Sequence, residues 1–169
     1  SLVGVYLTYA QMKNVNLVNV DMSGADLSRS DFSGASMYGA NLEGANLFKA
    51  NFEGANLNSA NLCNCDLLGA DFSNTKLNNV KWGKDYKIIN EQEAEDALVA
   101  GNPEKAKEKY KEAEDIYRIL KISLKEQTLG DDVGKFFERE MIARRKQMPQ
   151  FSPRRIIYKI AHLTTGYGE

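Results

Sequence analysis

Residues 40–62 read Ala40-Asn41-Leu42-Glu43-Gly44-Ala45-Asn46-Leu47-Phe48-Lys49-Ala50-Asn51-Phe52-Glu53-Gly54-Ala55-Asn56-Leu57-Asn58-Ser59-Ala60-Asn61-Leu62. A large apolar residue recurs there at every fifth position. Outward in both directions the register holds without a slip, through Leu7, Met12, Leu17, Met22, Leu27, Phe32, Met37, Leu42, Leu47, Phe52, Leu57, Leu62, Leu67, Phe72, Leu77 and Trp82. Two positions ahead of each stands a small or β-branched residue, such as Ala10, Val20, Ala25 or Ala70. Asp or Asn usually lies between the two, and Gly often closes the unit, as at Gly24, Gly34, Gly54 and Gly69.

A period of five fits neither a helix nor a flat strand, so the stretch reads as a solenoid. Grouping every fourth unit sorts the large residues into ladders: Leu7, Leu27, Leu47, Leu67; Met12, Phe32, Phe52, Phe72; Leu17, Met37, Leu57, Leu77; and Met22, Leu42, Leu62, Trp82. The three Phe share one ladder, as expected if residues twenty apart stack on one another. The expected shape is a coil of four short sides, with Ala and Leu/Phe turned inward and the other three positions outward. Coils spaced about 4.8 Å apart would make a rod of roughly 20 Å. At about 1.5 to 3 kcal/mol per fully buried apolar side chain, the central residues supply a core before chain entropy is subtracted. No cofactor, metal or disulfide is needed.

Units such as Ala45-Asn46-Leu47 and Ala70-Asp71-Phe72 resemble the pentapeptide-repeat family over almost half the chain. The resemblance implies a right-handed quadrilateral β-helix. The expected fold class is therefore a β-solenoid plus α, with a four-coil β-helix over residues 1–83 and a small α-helical domain over 84–169.

With 22 Lys and Arg against 23 Asp and Glu in 169 residues, the formal net charge is −1, and no global bias points to nucleic acid. No apolar run reaches the ~18 residues of a membrane span, and no secretory signal opens the chain. Cys63 and Cys65 sit too close to bridge two elements and lack the partners of a zinc site. The repeat turns Cys65 inward as an oversized Ala and Cys63 outward. A reducing cytosol suits both. His162 is the sole histidine and no nucleophile motif is assembled, so the chain reads as non-catalytic.

On the outer face of the solenoid, Asp21, Asp26, Asp31, Glu43, Glu53, Asp66 and Asp71 face Lys13, Arg29, Lys49, Lys76 and Lys81. Some pentapeptide-repeat proteins imitate the acidic surface of duplex DNA, which makes a stand-alone inhibitor of a nucleic-acid enzyme the alternative function. Seven acids against five bases make a poor imitation. Tyr38, Phe48 and Leu68 also point outward. Phe48 and Leu68, twenty apart, form a candidate apolar contact for a protein partner. Leu2, Val3, Val5 and Leu7 are already apolar and partly in register at the first coil, which is read as uncapped. An end-to-end homodimer through those four residues is the expectation.

Beyond Trp82 the pattern turns helical, with Ile88 and Ile89 placed to cover the last coil. Asn90 opens one helix through Ala94, Ala97 and Leu98, stopping at Gly101. Asn102 and Pro103 open the next, which carries Ala106, Tyr110, Ala113, Tyr117, Leu120 and Leu124 on one stripe between Lys and Glu. Gly101-Asn102-Pro103-Glu104-Lys105-Ala106, with Tyr110 and Ala113, resembles the turn and second helix of a tetratricopeptide repeat. Ala94 and Ala97 stand where that family has bulk, so a single helical hairpin is implied and not an array. After a turn at Leu129-Gly130-Asp131, Asp131 caps a third helix with Val133, Phe136, Phe137, Met141 and Ile142. Ser152-Pro153 starts a fourth with Ile156, Ile157, Ile160 and Leu163, closing at Gly166.

Between Met141 and Ile160 stand Arg144, Arg145, Lys146, Arg154, Arg155 and Lys159, and no acid. They are candidate contacts to an anionic membrane surface or an acidic partner. Phe136-Phe137-Glu138-Arg139-Glu140-Met141, Arg144-Arg145-Lys146 and Thr165-Gly166-Tyr167-Gly168-Glu169 resemble a segment of prokaryotic pentapeptide-repeat membrane proteins. There it lies between the solenoid and ion-channel-like transmembrane helices. The resemblance implies a cytosolic, membrane-proximal interaction or regulatory scaffold.

Overall fold

In the computed structural model, which describes residues 1–127 and 130–164, the five-residue unit is a β-turn followed by a single β-bridge. The bridges are parallel and join residues twenty apart, from Tyr6 with Asp26 to Asn61 with Lys81. They are isolated, so the segment stacks by one bridge per unit and not by extended strands. From Leu7 to Leu57 each central carbonyl closes its own turn, as Phe52 O does by accepting from Ala55 N at 2.8 Å, and each central amide reaches the next level, as Phe52 N does to Asp71 O at 2.8 Å.

Every position of the unit has a physical reason. From Met22 to Leu77 the central residues are buried, and so are Ala25, Ala35, Ala40, Ala45, Ala50, Ala55, Ala60 and Ala70. The Asp or Asn side chain accepts the amide two residues on, for instance Asp31 Oδ1 from Ser33 N at 2.9 Å and Asn51 Oδ1 from Glu53 N at 2.9 Å. This local turn is what those residue types form best. The same side chains also bond along the stack, Asn61 Nδ2 to Asn41 Oδ1 at 3.1 Å and Asn41 Nδ2 to Asp21 Oδ1 at 3.0 Å. The closing residue has φ near +60°, which explains Gly at 54 and, where no Gly stands, the frequent Asn, as at Asn14, Asn64 and Asn74.

Three small inward positions hold a donor in place of Ala. Ser30, Cys65 and Thr75 each donate to a carbonyl twenty-three residues earlier, those of Leu7, Leu42 and Phe52 at 2.5, 2.9 and 2.6 Å. Buried hydroxyl and thiol are thereby satisfied without disturbing the stack. Burial pushes the Cys65 thiol up to about 12, and Cys63 stands half-buried on the outer side.

After a short 3-10 turn, Lys84–Tyr86, come four helices: α1 Ile89–Val99, α2 Pro103–Glu126, α3 Gly130–Lys146 and α4 Pro153–Thr164. Asn102 caps α2, its side chain accepting from Lys105 N at 3.0 Å, and Ser152 Oγ accepts from Arg155 N at 3.2 Å at the start of α4. Gly101, at φ +73, makes the turn between α1 and α2. α3 begins one residue before the expected cap, so Asp131 lies in its first turn and favours the helix dipole instead of capping it. Leu129 and Gly166 fall outside the described residues.

The helices close the C-terminal end of the solenoid through an aromatic cluster. Phe136 is fully buried, with its ring edge-on to Trp82 at 5.2 Å and to Tyr86 at 5.4 Å, and tilted against Tyr117 at 5.9 Å. Ile88 is buried as expected, while Ile89 is only half-buried. Leu77 N donates to Gln127 Oε1 at 2.9 Å, joining the last units to the end of α2.

Among the described residues, two helical acids are buried. Glu91 and Glu140 are 1% and 3% exposed. Glu91 accepts from Tyr117 Oη at 2.6 Å and pairs with Arg139 at 3.5 Å. Glu140 is held by Lys121, by Arg144 at 3.3 Å and by Arg118 at 3.7 Å. A carboxylate so deeply placed is tolerable only with such partners.

Candidate anionic-surface site

The turn between α3 and α4 folds the two basic runs together. Arg145 and Lys146 from the last turn of α3 meet Arg155 and Lys159 from α4 across a cleft of about 410 Å³, completed by Gln150, Phe151 and Ile156. No acid lines it. Phe151 is 86% exposed and Ile156 52%. The chemistry is that of an anion receptor with an apolar rim.

The six basic residues singled out by sequence take three different placements. Arg145, Lys146, Arg155 and Lys159 share the cleft, and Arg154 is exposed on α4 outside it. Arg155 also donates to Met148 O at 2.8 Å, fixing the turn, and Lys146 Nζ lies 6.0 Å from the Tyr110 ring centre. Arg144 points elsewhere. Its Nε donates to Glu114 Oε1 at 2.9 Å and its Nη2 to Glu140, so it clamps α3 to α2.

That clamp has a pH signature. Burial raises the Glu114 carboxyl, but hydrogen bonds from Arg144 and Gln147 outweigh it and hold the group below its ordinary 4.5. A depressed carboxylate contributes stability that is complete above the unfolded value and is lost as pH falls through the folded one. Urea denaturation across a pH series should therefore show the midpoint falling below about pH 4.5. Arg144→Gln should lower the neutral-pH midpoint and flatten that acid limb.

The other candidates are dispersed. Tyr38 is 48% exposed. Phe48 and Leu68 are half-buried, and Leu68 packs on the core. The Phe48 ring carries Lys49 Nζ at 5.1 Å and the Arg29 guanidinium at 5.7 Å, and that guanidinium also hydrogen-bonds Tyr9. Cations thus occupy the face that sequence reading left apolar. Of the four N-terminal residues, Val3 is 55% exposed, while Leu2, Val5 and Leu7 pack partly against the core. The His162 side chain lies outside the described residues. Among the described residues no cluster of His, Cys, Asp and Glu has metal-binding geometry, and no helix is long and apolar enough to cross a membrane.

The family of pentapeptide repeats matches in 8 copies over residues 10–47 and 45–81, within the span from Tyr6 to Lys81 that the bridges join. The chain belongs to the pentapeptide-repeat family. Among solved structures, a pentapeptide-repeat protein from the cyanobacterium Cyanothece 51142 is 32% identical over 46% of this chain and 56% of its own, with TM-score 0.35. One from the thylakoid lumen of Arabidopsis thaliana is 32% identical over 41% and 51%, with TM-score 0.22. A third, from Nostoc PCC 7120, is 30% identical over 57% and 81%, with TM-score 0.26. The chain spans about half the length of the first two. A comparison with curated proteins gives no match. Pentapeptide-repeat proteins are generally non-catalytic interaction scaffolds, and the repeat region offers the stacked, outward-facing surface such a role uses.

Proposed function

We propose that this pentapeptide-repeat protein is the cytosolic, membrane-proximal part of an interaction scaffold that docks on an anionic membrane surface. The observation that carries the reading is the cleft of Arg145, Lys146, Arg155 and Lys159, lined by no acid among the described residues and bordered by exposed Phe151 and Ile156. In this reading residues 1–83 form a four-coil, right-handed quadrilateral rod and 84–169 the helical unit that meets the membrane. The twenty-residue spacing of the bridges and the four apolar ladders support that geometry. The rod's outward side chains are then presented to a protein partner at a height set by the helices.

Each basic residue near an anionic leaflet contributes about 1 kcal/mol, and the attraction decays over a Debye length of about 8 Å at physiological salt. Co-sedimentation of the full chain with phosphatidylserine-containing liposomes should therefore succeed at low salt and weaken steeply as salt rises. Changing Arg145, Lys146, Arg154 and Lys159 to Gln should lower partitioning by roughly two to three orders of magnitude. Arg144 and Arg155 stay in place because they hold Glu114, Glu140 and Met148. Equal binding of the parent chain to neutral vesicles would remove the electrostatic reading.

A further inference from the structure

The cations of the cleft account for attraction to an anionic surface but not for what α4 presents beside them. On α4, Ile156, Ile157 and Ile160 follow helical spacing along one stripe and are 52%, 64% and 54% exposed. The opposite side carries Tyr158, which is half-buried and bonds Arg144 of α3. Arg155 and Lys159 flank the stripe on one side and Arg154 on the other. Phe151, in the turn ahead of α4, is 86% exposed and shares the cleft with Ile156. A folded protein rarely leaves this much branched and aromatic surface in water on one short helix. An apolar stripe bordered on both sides by Arg and Lys is the profile of a helix that lies in a bilayer interface.

We propose that α4 is an interfacial helix: it lies in the plane of an anionic bilayer with Phe151, Ile156 and Ile157 below the headgroups. The flanking cations stay at headgroup depth, where the cleft of Arg145, Lys146, Arg155 and Lys159 receives a lipid phosphate. The occupant is a bilayer and not an acidic protein, because the cations border the apolar stripe on both sides of one helix, so that apolar surface can enter the acyl region while the charges stay with the headgroups. The inference rests on the membrane reading above and adds insertion to it.

The test is depth-dependent quenching in the full chain. Phe151→Trp is read on phosphatidylserine vesicles whose acyl chains carry bromine. The native Trp82, 4% exposed beneath Phe136, gives a background measured separately on the unaltered chain. The expected result is a blue-shifted emission that the brominated lipid quenches, with the Trp82 background unquenched. Ile156→Ser with Ile157→Ser should weaken binding at least about tenfold while leaving its salt dependence in place. Binding without quenching, or without loss in the double Ser variant, would overturn insertion and leave electrostatic docking standing. Absence of binding in the unaltered chain would overturn both. Folding of each variant is checked by its urea midpoint, which changes at exposed positions should leave within the parent's error.

Discussion

Phe52→Ala is expected to lower the unfolding free energy by about 3 to 5 kcal/mol, the range for removing a fully buried Phe from a packed core. Phe52 is the middle of three stacked rings, 5.4 Å from Phe32 at 7° and 5.4 Å from Phe72 at 9°. All three are at most 1% exposed. Truncation removes two ring contacts at once, and the cavity cannot close easily because the bridges on either side fix the spacing of neighbouring levels. Truncating Phe32 or Phe72 removes one ring contact each and should cost less. Urea melts of the three variants check the order, and a loss under about 1 kcal/mol at Phe52 would contradict the stack.

Phe136→Ala should cost a similar amount, about 3 to 5 kcal/mol, but in a different place. This ring is the common neighbour of Trp82 from the last repeat, Tyr86 from the exit and Tyr117 from α2. Its loss opens the seam between the solenoid and the helices and admits water to Trp82. Trp82 is the only tryptophan, so its fluorescence reports the seam directly. The variant should show red-shifted emission before denaturation and a melt that separates into two transitions. Unchanged emission with a single transition would mean that the two parts hold together without Phe136.

The solenoid was legible because its signal is redundant. Register, small inward residues and the Phe ladder all follow from one requirement, that residues twenty apart occupy equivalent positions. The role of Asp and Asn was less visible. Sequence shows that they recur between Ala and Leu, but only coordinates show Oδ1 of Asp31 or Asn51 closing a turn two residues on. Ser30, Cys65 and Thr75 carried a readable sign, since each breaks the run of Ala with a small donor.

In the helices, Tyr110, Tyr117 and Leu120 were readable from their spacing. Glu91 and Glu140 were not, because their partners Arg139, Arg118 and Lys121 are chosen by tertiary packing. The same limit applied to the basic run: composition gathered six cations, and packing then gave Arg144 to Glu114 and Glu140 and four others to the cleft. Ile156, Ile157 and Ile160 were readable as the apolar side of α4, but helical spacing alone does not say whether that side faces its neighbour or solvent, and Phe151, in the turn ahead of the helix, carries no periodic signal.

The single parallel bridge per unit gives the chain a reading frame of length. Because each bridge links residues twenty apart, a deletion of five residues such as 48–52 would leave every unit individually intact. It would, however, carry Phe72 over Leu47 and Asn61 over Ser36, so the turn that straddles the deletion would meet the wrong neighbours while later bridges such as Asn61 with Lys81 keep their spacing. Loss or duplication of twenty residues restores both the Phe column and the Asn column. Internal gain or loss of whole turns therefore leaves every column unbroken, whereas a partial turn leaves one mismatched seam at the junction.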